Sequence, residues 1–297
     1  MRDLLHGESK IKQSTAIIFL ILTATLWSLG GLFIKLVPWN PVAISGVRSG
    51  IAALFLLIFI RRPRLTWSFA QIAGAFAYAG TVVFYVISVK LTTAANAILL
   101  EYTAPIYVAV FGVWLLKERL KPLDLMTVIF VMAGLVLFFL DKLSMGQLYG
   151  NLCAIASGIC FALMFIFMRM QKNESTIETI IMGNIISALI GIPFMSGPLP
   201  DLSGWGALLF LGIIQLGLSY LLYSIAIKRV KAIEAILTAC LDPILNPIWV
   251  LVFLGEIPGT WAVVGGFVVM VSTTGYNIIS IARSNSKSRN ASQSPYL

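Results

Sequence analysis

Histidine occurs once in this chain, at position 6, and cysteine three times, at 153, 160 and 240. No apolar span holds a histidine, and neither HExxH nor a Ser/His/Asp set is present. Hydrolytic and zinc chemistry therefore lose their usual donors. The cysteines lie in apolar stretches without CxxC spacing and read as inert thiols, neither metal ligands nor disulfides. A phosphate-binding GxxxxGKS or GxxxxGKT loop is missing, which excludes an ATP-driven motor. No filter-like loop or repeated ring of charge suggests a channel. Charge itself is scarce, at 11% of residues against about 25% in a soluble domain. The expectation is no enzyme, no metal and no cofactor.

Hydrophobic residues make up 59% of the 297 positions, and mean hydropathy is +0.94. They form runs of about 20 residues, the length that crosses roughly 30 Å of hydrocarbon. The fold class expected is an all-α integral membrane protein with ten transmembrane helices. Charge and Pro/Gly punctuation place spans 1 to 5 at 15–36, 42–60, 67–89, 94–116 and 122–140. Spans 6 to 10 fall at 147–169, 176–194, 205–227, 233–254 and 260–281. Residues 1–14 form a polar N-terminal segment before a retained first helix. The Ser- and Asn-rich stretch 283–297 reads as a disordered tail.

The net charge of +9 does not indicate nucleic acid, because the basic residues cluster at span ends. One end of the bundle collects 17 of the 21 Lys and Arg, the other end only Lys35, Lys90 and Lys142, and Arg48 lies within a span. By the positive-inside rule both termini are cytoplasmic, in the plasma (inner) membrane of the cell.

The chain also repeats itself. AILLEYTAP at 97–105 is echoed by AILTACLDP at 235–243. The same shift of 138 pairs Gly74 with Gly212, Tyr85 with Tyr223, Lys90 with Lys228, Pro105 with Pro243 and Glu118 with Glu256. Two units of five helices follow, 15–142 and 147–282. Five is odd, so the second enters from the opposite side, and the units are inverted repeats. Secondary transporters are built this way, with substrate bound near the midplane between repeats.

TLWSLGGLFIK (25–35), Arg48, YTAPIYVAVFGVWLLKERL (102–120) and LDPILNPIWVLVFLGE (241–256) together resemble the ten-helix EamA-type transporters of the drug/metabolite transporter superfamily. The resemblance covers nearly the whole chain and is poorly specific for substrate. It implies an exporter-type carrier whose central cavity is lined by spans 1, 3, 4, 6, 8 and 9. Glu101 departs from the family, where Gln or another polar residue is more usual, and Asp242 stands where Glu is.

Ionisable residues within a membrane cost about 3 kcal/mol or more each, so each is a functional candidate. At about 1.5 Å per residue, Arg48 and Glu101 lie at matching depths, roughly 9 and 10 Å below the outer face. Asp242 lies roughly 14 Å above the inner one. Two readings stand: Glu101 and Asp242 hold an ammonium group or a coupling proton, or Arg48 and Glu101 neutralise each other as an intramembrane charge pair. Gly46 and Gly50 flank Arg48 as a close-packing face.

Helical spacing puts Gln215, Ser219 and Tyr223 on one stripe and Asp242, Asn246 and Trp249 on another. Their polar groups find no partner in lipid. Thr81 and Tyr85 are the repeat equivalents of Ser219 and Tyr223, with Tyr78 beside them. Trp27 and Phe161 are candidate aromatic walls. Pro105, Pro243 and Pro247 are candidate hinges, each removing a helical hydrogen bond.

The functional expectation is a secondary transporter. It would export small amphipathic metabolites, such as amino acids or related amines, by alternating access, with proton coupling open. Efflux of hydrophobic or cationic drugs is the alternative. The partners expected are a small-molecule substrate and the bilayer, with no nucleic acid, and the chain acts as a monomer or weak homo-oligomer.

Overall fold

The computed structural model describes residues 11–60, 63, 65–92, 94–140, 147–171, 176–196, 198–245, 249 and 259–292. Asn246, Pro247 and Glu256 lie outside them. The fold is all-α and multi-pass. Nine stretches among the described residues are long and apolar enough to cross a bilayer. They are Gln13–Ile34, Pro41–Ile60, Phe69–Leu91, Asn96–Leu116, Pro122–Phe139, Leu148–Met170, Ile177–Phe194, Leu202–Ala226 and Thr260–Arg283. Span 9 is described as a helix at Ala232–Ala239 and as helical again at 242–245. Among the span starts, the largest shift from the sequence boundaries is at span 8, expected at 205 and found at 202.

Several spans are discontinuous, which hydropathy does not reveal. Span 1 breaks at Ser28–Leu29 between helices Gln13–Trp27 and Gly30–Lys35. Span 4 turns at Tyr102–Thr103 between Ala94–Glu101 and Ala104–Leu116. Span 9 turns at Cys240–Leu241. Pro105 and Pro243 are thus not kinks inside continuous helices. Each occupies the first turn of a resumed helix, where its absent N–H would have had no partner anyway. Span 8 carries a π-helical segment at Leu211–Leu218.

The helix of span 10 is described to Ser292, past the expected start of the polar tail at 283. Once a helix is nucleated in the bilayer, each further residue adds a hydrogen bond without a new nucleation cost.

Span 3 packs along span 6, span 5 along span 10, span 2 along span 7 and span 1 along span 8. Small residues set these distances. A Cβ on Gly46 would lie 2.6 Å from Gly191 Cα, whereas one on Gly50 would meet only the Ala188 methyl at 3.7 Å. Gly46→Leu is therefore expected to destabilise the protein by about 1–3 kcal/mol through overpacking. Gly50→Ala is expected to be tolerated. Thermal unfolding of the purified variants, followed by size exclusion, checks the contrast.

The end rich in Lys and Arg is tied by polar contacts. Arg169 pairs with Glu118 at 3.0 Å and donates to the Ile227 and Lys228 carbonyls. Lys231 donates to the Arg119 carbonyl at 3.0 Å. Lys228 is buried, and burial lowers its ammonium to about 8 while nearby Glu178 opposes the shift.

Candidate functional site

The helix breaks and the π segment bring their neighbouring side chains to one place. Spans 1, 3, 4, 6, 8 and 9 all line a cavity between the two halves of the chain, and span 2 adds Arg48. Its polar wall holds Arg48, Glu101 and Asp242 with Thr81, Tyr85 and Gln215. Trp27, Phe161, Tyr102 and Tyr220 supply the aromatic wall. The Trp27 ring lies 5.0 Å from Tyr220 and 5.7 Å from Phe161, and Phe161 lies 5.8 Å from Tyr102. Such tilted and edge-on pairs are worth about 0.5–1.5 kcal/mol each beyond their buried area. They fix the wall as a unit.

Each charge is held by its own partner. Glu101 ends the first helix of span 4, and Gly158 of span 6 lets it come close, since a Cβ there would meet the Glu101 carbonyl at 2.7 Å. The Ser157 hydroxyl is placed to donate to Glu101 Oε1 at 2.7 Å or to the Thr81 carbonyl at 3.0 Å. Arg48 is 2% exposed, and its Nη1 donates to Gln215 Oε1 at 3.4 Å. Gly30 leaves room for that glutamine, since a Cβ there would lie 2.8 Å from Gln215 Nε2. Asp242 is half-buried and accepts the Tyr102 hydroxyl at 2.5 Å.

Arg48 and Glu101 do not form the ion pair considered from sequence. They face one cavity, where the glutamine of span 8 and the serine of span 6 take their hydrogen bonds. Among the described residues, Arg48 Nε and Trp27 Nε1 are buried without a hydrogen-bond partner. Unpaired buried donors carry a desolvation cost that a bound acceptor removes.

A larger cavity, about 170 Å³, lies at the basic end beside Asp124, Lys231, Glu234 and Tyr276. Its acids are already engaged. Asp124 caps the helix start at Lys121 and accepts from Tyr276, and Glu234 caps the start at Lys231 and accepts from Ser280 and Gln13. The central cavity is smaller, about 50 Å³, room for a few waters, yet Arg48 and Trp27, whose Nε and Nε1 lack partners, line it. A metabolite enters it only if the walls move.

The model of the EamA-like transporter family matches this chain twice, at residues 14–140 and 148–278. The chain belongs to the EamA-like transporter family. That is a family of membrane transporters, not of enzymes. Among its relatives, the threonine/homoserine exporter RhtA of Escherichia coli K12 is 26% identical over 227 residues, covering 72% of this chain and 74% of the relative. Mouse solute carrier family 35 member G1 is 23% identical, covering 92% and 82%. A solved structure superposes with a TM-score of 0.77 at 20% identity, covering 91% of this chain and 98% of its own, which shows a shared fold.

Within this EamA-like fold, the candidates named from sequence separate into two groups. Trp27, Thr81, Tyr85, Glu101, Phe161, Gln215 and Asp242 line the cavity. Four others stand behind or beside its wall. Tyr78 donates to Asn184 of span 7 at 3.0 Å, and Tyr223 packs under Trp27 and Phe165. Trp249 donates to Ser28 at the break of span 1, at 2.7 Å. Ser219 faces span 1, its hydroxyl bonded to the Gln215 carbonyl and its own carbonyl accepting from Thr23 at 3.2 Å.

The displacement of Ser219 and Tyr223 has one cause. Gln215 sits in the π segment, where the backbone bonds run i to i+5, so the residue that shares its face is Tyr220. Tyr220 and Tyr102 are the cavity residues that sequence reasoning missed. A strict i, i+4 stripe hid the first, and an assumed continuous helix hid the second.

Proposed function

We propose that this protein is a secondary carrier that exports small amphipathic metabolites, amino acids or related amines, by alternating access around the central cavity. The observation that carries this reading is one cavity presenting a guanidinium, two carboxylates and an aromatic wall. Arg48 suits a carboxylate, Asp242 and Glu101 suit an ammonium group, and the rings suit an apolar body.

An inverted repeat is the proposed basis of the alternation. Several facts support it. The turns at 102–103 and 240–241 differ by the same 138 residues as the sequence echo. Advancing each span by five also converts the 3–6 packing into 8–1 and leaves 2–7 and 5–10 unchanged, as a two-fold relation between halves requires. The 17-to-3 split of basic residues supports cytoplasmic termini. Pro105 and Pro243 are the proposed hinges.

The test is flux of a panel of labelled amino acids and amines in proteoliposomes, with and without a pH gradient. Movement of several members supports the reading, and a gradient-dependent rate supports proton exchange. Movement of none overturns it. Efflux of cationic drugs is the second reading, favoured by the Trp27–Tyr220–Phe161 wall, since aromatic faces attract organic cations. Resistance conferred on drug-sensitive cells separates the two.

A further inference from the structure

The Tyr102–Asp242 hydrogen bond joins the two places where the spans are broken. Tyr102 lies in the turn of span 4, and Asp242 immediately follows the turn of span 9. Among the described residues, no other hydrogen bond links these two spans. Within each break the backbone keeps short turn bonds, such as Thr103 N–H to the Leu100 carbonyl and Leu241 N–H to the Thr238 carbonyl, but the prolines interrupt the helical ladder. Pro105 has no N–H to offer the Glu101 carbonyl four residues back, and Pro243 none for Ala239. Each half-helix can therefore tilt against the other half without losing a helical bond at the proline. Tyr102 is 2% exposed, and a buried hydroxyl that loses its acceptor bears a desolvation cost of about 1–3 kcal/mol, so the bond parts only when a ligand offsets that cost. Asp242 meanwhile faces the cavity.

We infer that the Tyr102–Asp242 bond is the tie that holds this conformation closed, and that an N–H-bearing organic cation opens it by taking Asp242 from Tyr102. Tyr102 is then a positioning residue that reports occupancy of Asp242 to both breaks. The exchange balances simply. One O–H···carboxylate bond from a neutral donor is replaced by an N–H···carboxylate bond from a cation, which adds the Coulomb attraction of opposite charges in a low-dielectric site. An uncharged ligand of the same shape offers no such replacement and leaves the tie in place. This inference rests on the carrier reading above for its ligand class, but not for its test.

Cys240 supplies the reporter, because it lies in the turn of span 9 and is fully buried. Full-length protein with Cys153→Ser and Cys160→Ser is purified, and the rate of Cys240 alkylation by N-ethylmaleimide is followed. Phenethylamine is expected to raise the rate about tenfold, the shift that exchange of one charge-assisted hydrogen bond produces. Its N-acetylated, uncharged derivative is expected to leave the rate unchanged.

Tyr102→Phe is expected to alkylate fast without ligand and to bind phenethylamine more tightly, since the competing donor is gone. A merely structural tyrosine would not tighten binding. Should that variant not fold, Asp242→Asn decides. Asparagine accepts the tyrosine hydroxyl through a neutral and weaker bond, so basal alkylation rises only part of the way to the Tyr102→Phe rate, and stimulation by the amine is lost. Equal rates with and without amine in the unaltered chain, or stimulation that survives Asp242→Asn, overturns the inference. Amine flux with no change in alkylation removes the tie and leaves the carrier. Altered alkylation with no flux removes the carrier and leaves the tie.

Discussion

Asp242→Asn is expected to lower the initial rate of organic-amine transport in proteoliposomes by a hundredfold or more. The residue faces the cavity and offers the ligand its least encumbered negative charge, with one neutral donor, Tyr102, bound to it at 2.5 Å. Removing one partner of a desolvated charge pair costs about 3–5 kcal/mol, which is about two to nearly four orders of magnitude in rate or affinity. Glu101→Gln is expected to do less, near tenfold. Ser157 already restrains its carboxylate at 2.7 Å, and it sits against span 6 where Gly158 admits the backbone. The ordering of the two effects is the informative result. A Glu101→Gln loss larger than that of Asp242→Asn would move the ammonium subsite from span 9 to span 4. Unchanged rates in both would leave the cavity carboxylates without a role in binding.

The spans were legible because the bilayer imposes one rule on every segment: about 20 apolar residues with charge confined to the ends. That rule is insensitive to what happens inside a span. Hydropathy therefore located span 4 but not its turn at Tyr102–Thr103, and located span 8 but not its π segment. The candidate site shows the same division. Glu101 and Asp242 stood out as charges in apolar surroundings, and Trp27 and Phe161 as ring-bearing neighbours in the helices expected to surround a cavity. Tyr220 did not, because its place beside Gln215 depends on a local change of helical period. Ser219 stands beside the wall through the same change, in the opposite sense. The partners of the charges were also hidden. Depth estimates put Arg48 and Glu101 at one level, which is necessary for a pair but says nothing about azimuth. Rotation about the helix axes gave them to Gln215 and Ser157 instead.

Arg48→Met is expected to produce the largest loss of stability of any single change at the cavity, and a double mutant separates the reasons. The guanidinium is 2% exposed, has no carboxylate within ion-pair distance among the described residues, and shares its cavity with two acids. Deleting it leaves Glu101 and Asp242 in a low-dielectric site without the cation that faces the same cavity, which destabilises the fold. The purified variant should unfold at clearly lower temperature and elute partly aggregated. Adding Glu101→Gln removes one of the uncompensated charges, so the Arg48→Met/Glu101→Gln protein should recover much of the lost thermal stability. If Arg48 serves only as a counter-charge, recovery of fold brings recovery of transport for every substrate. If it also receives a substrate carboxylate, the double mutant moves amines that lack a carboxylate and still fails with amino acids. The second pattern is the expected one, because the Nε of Arg48 is buried and unpaired among the described residues. A purely structural arginine in apolar surroundings would have its donors satisfied from within the protein.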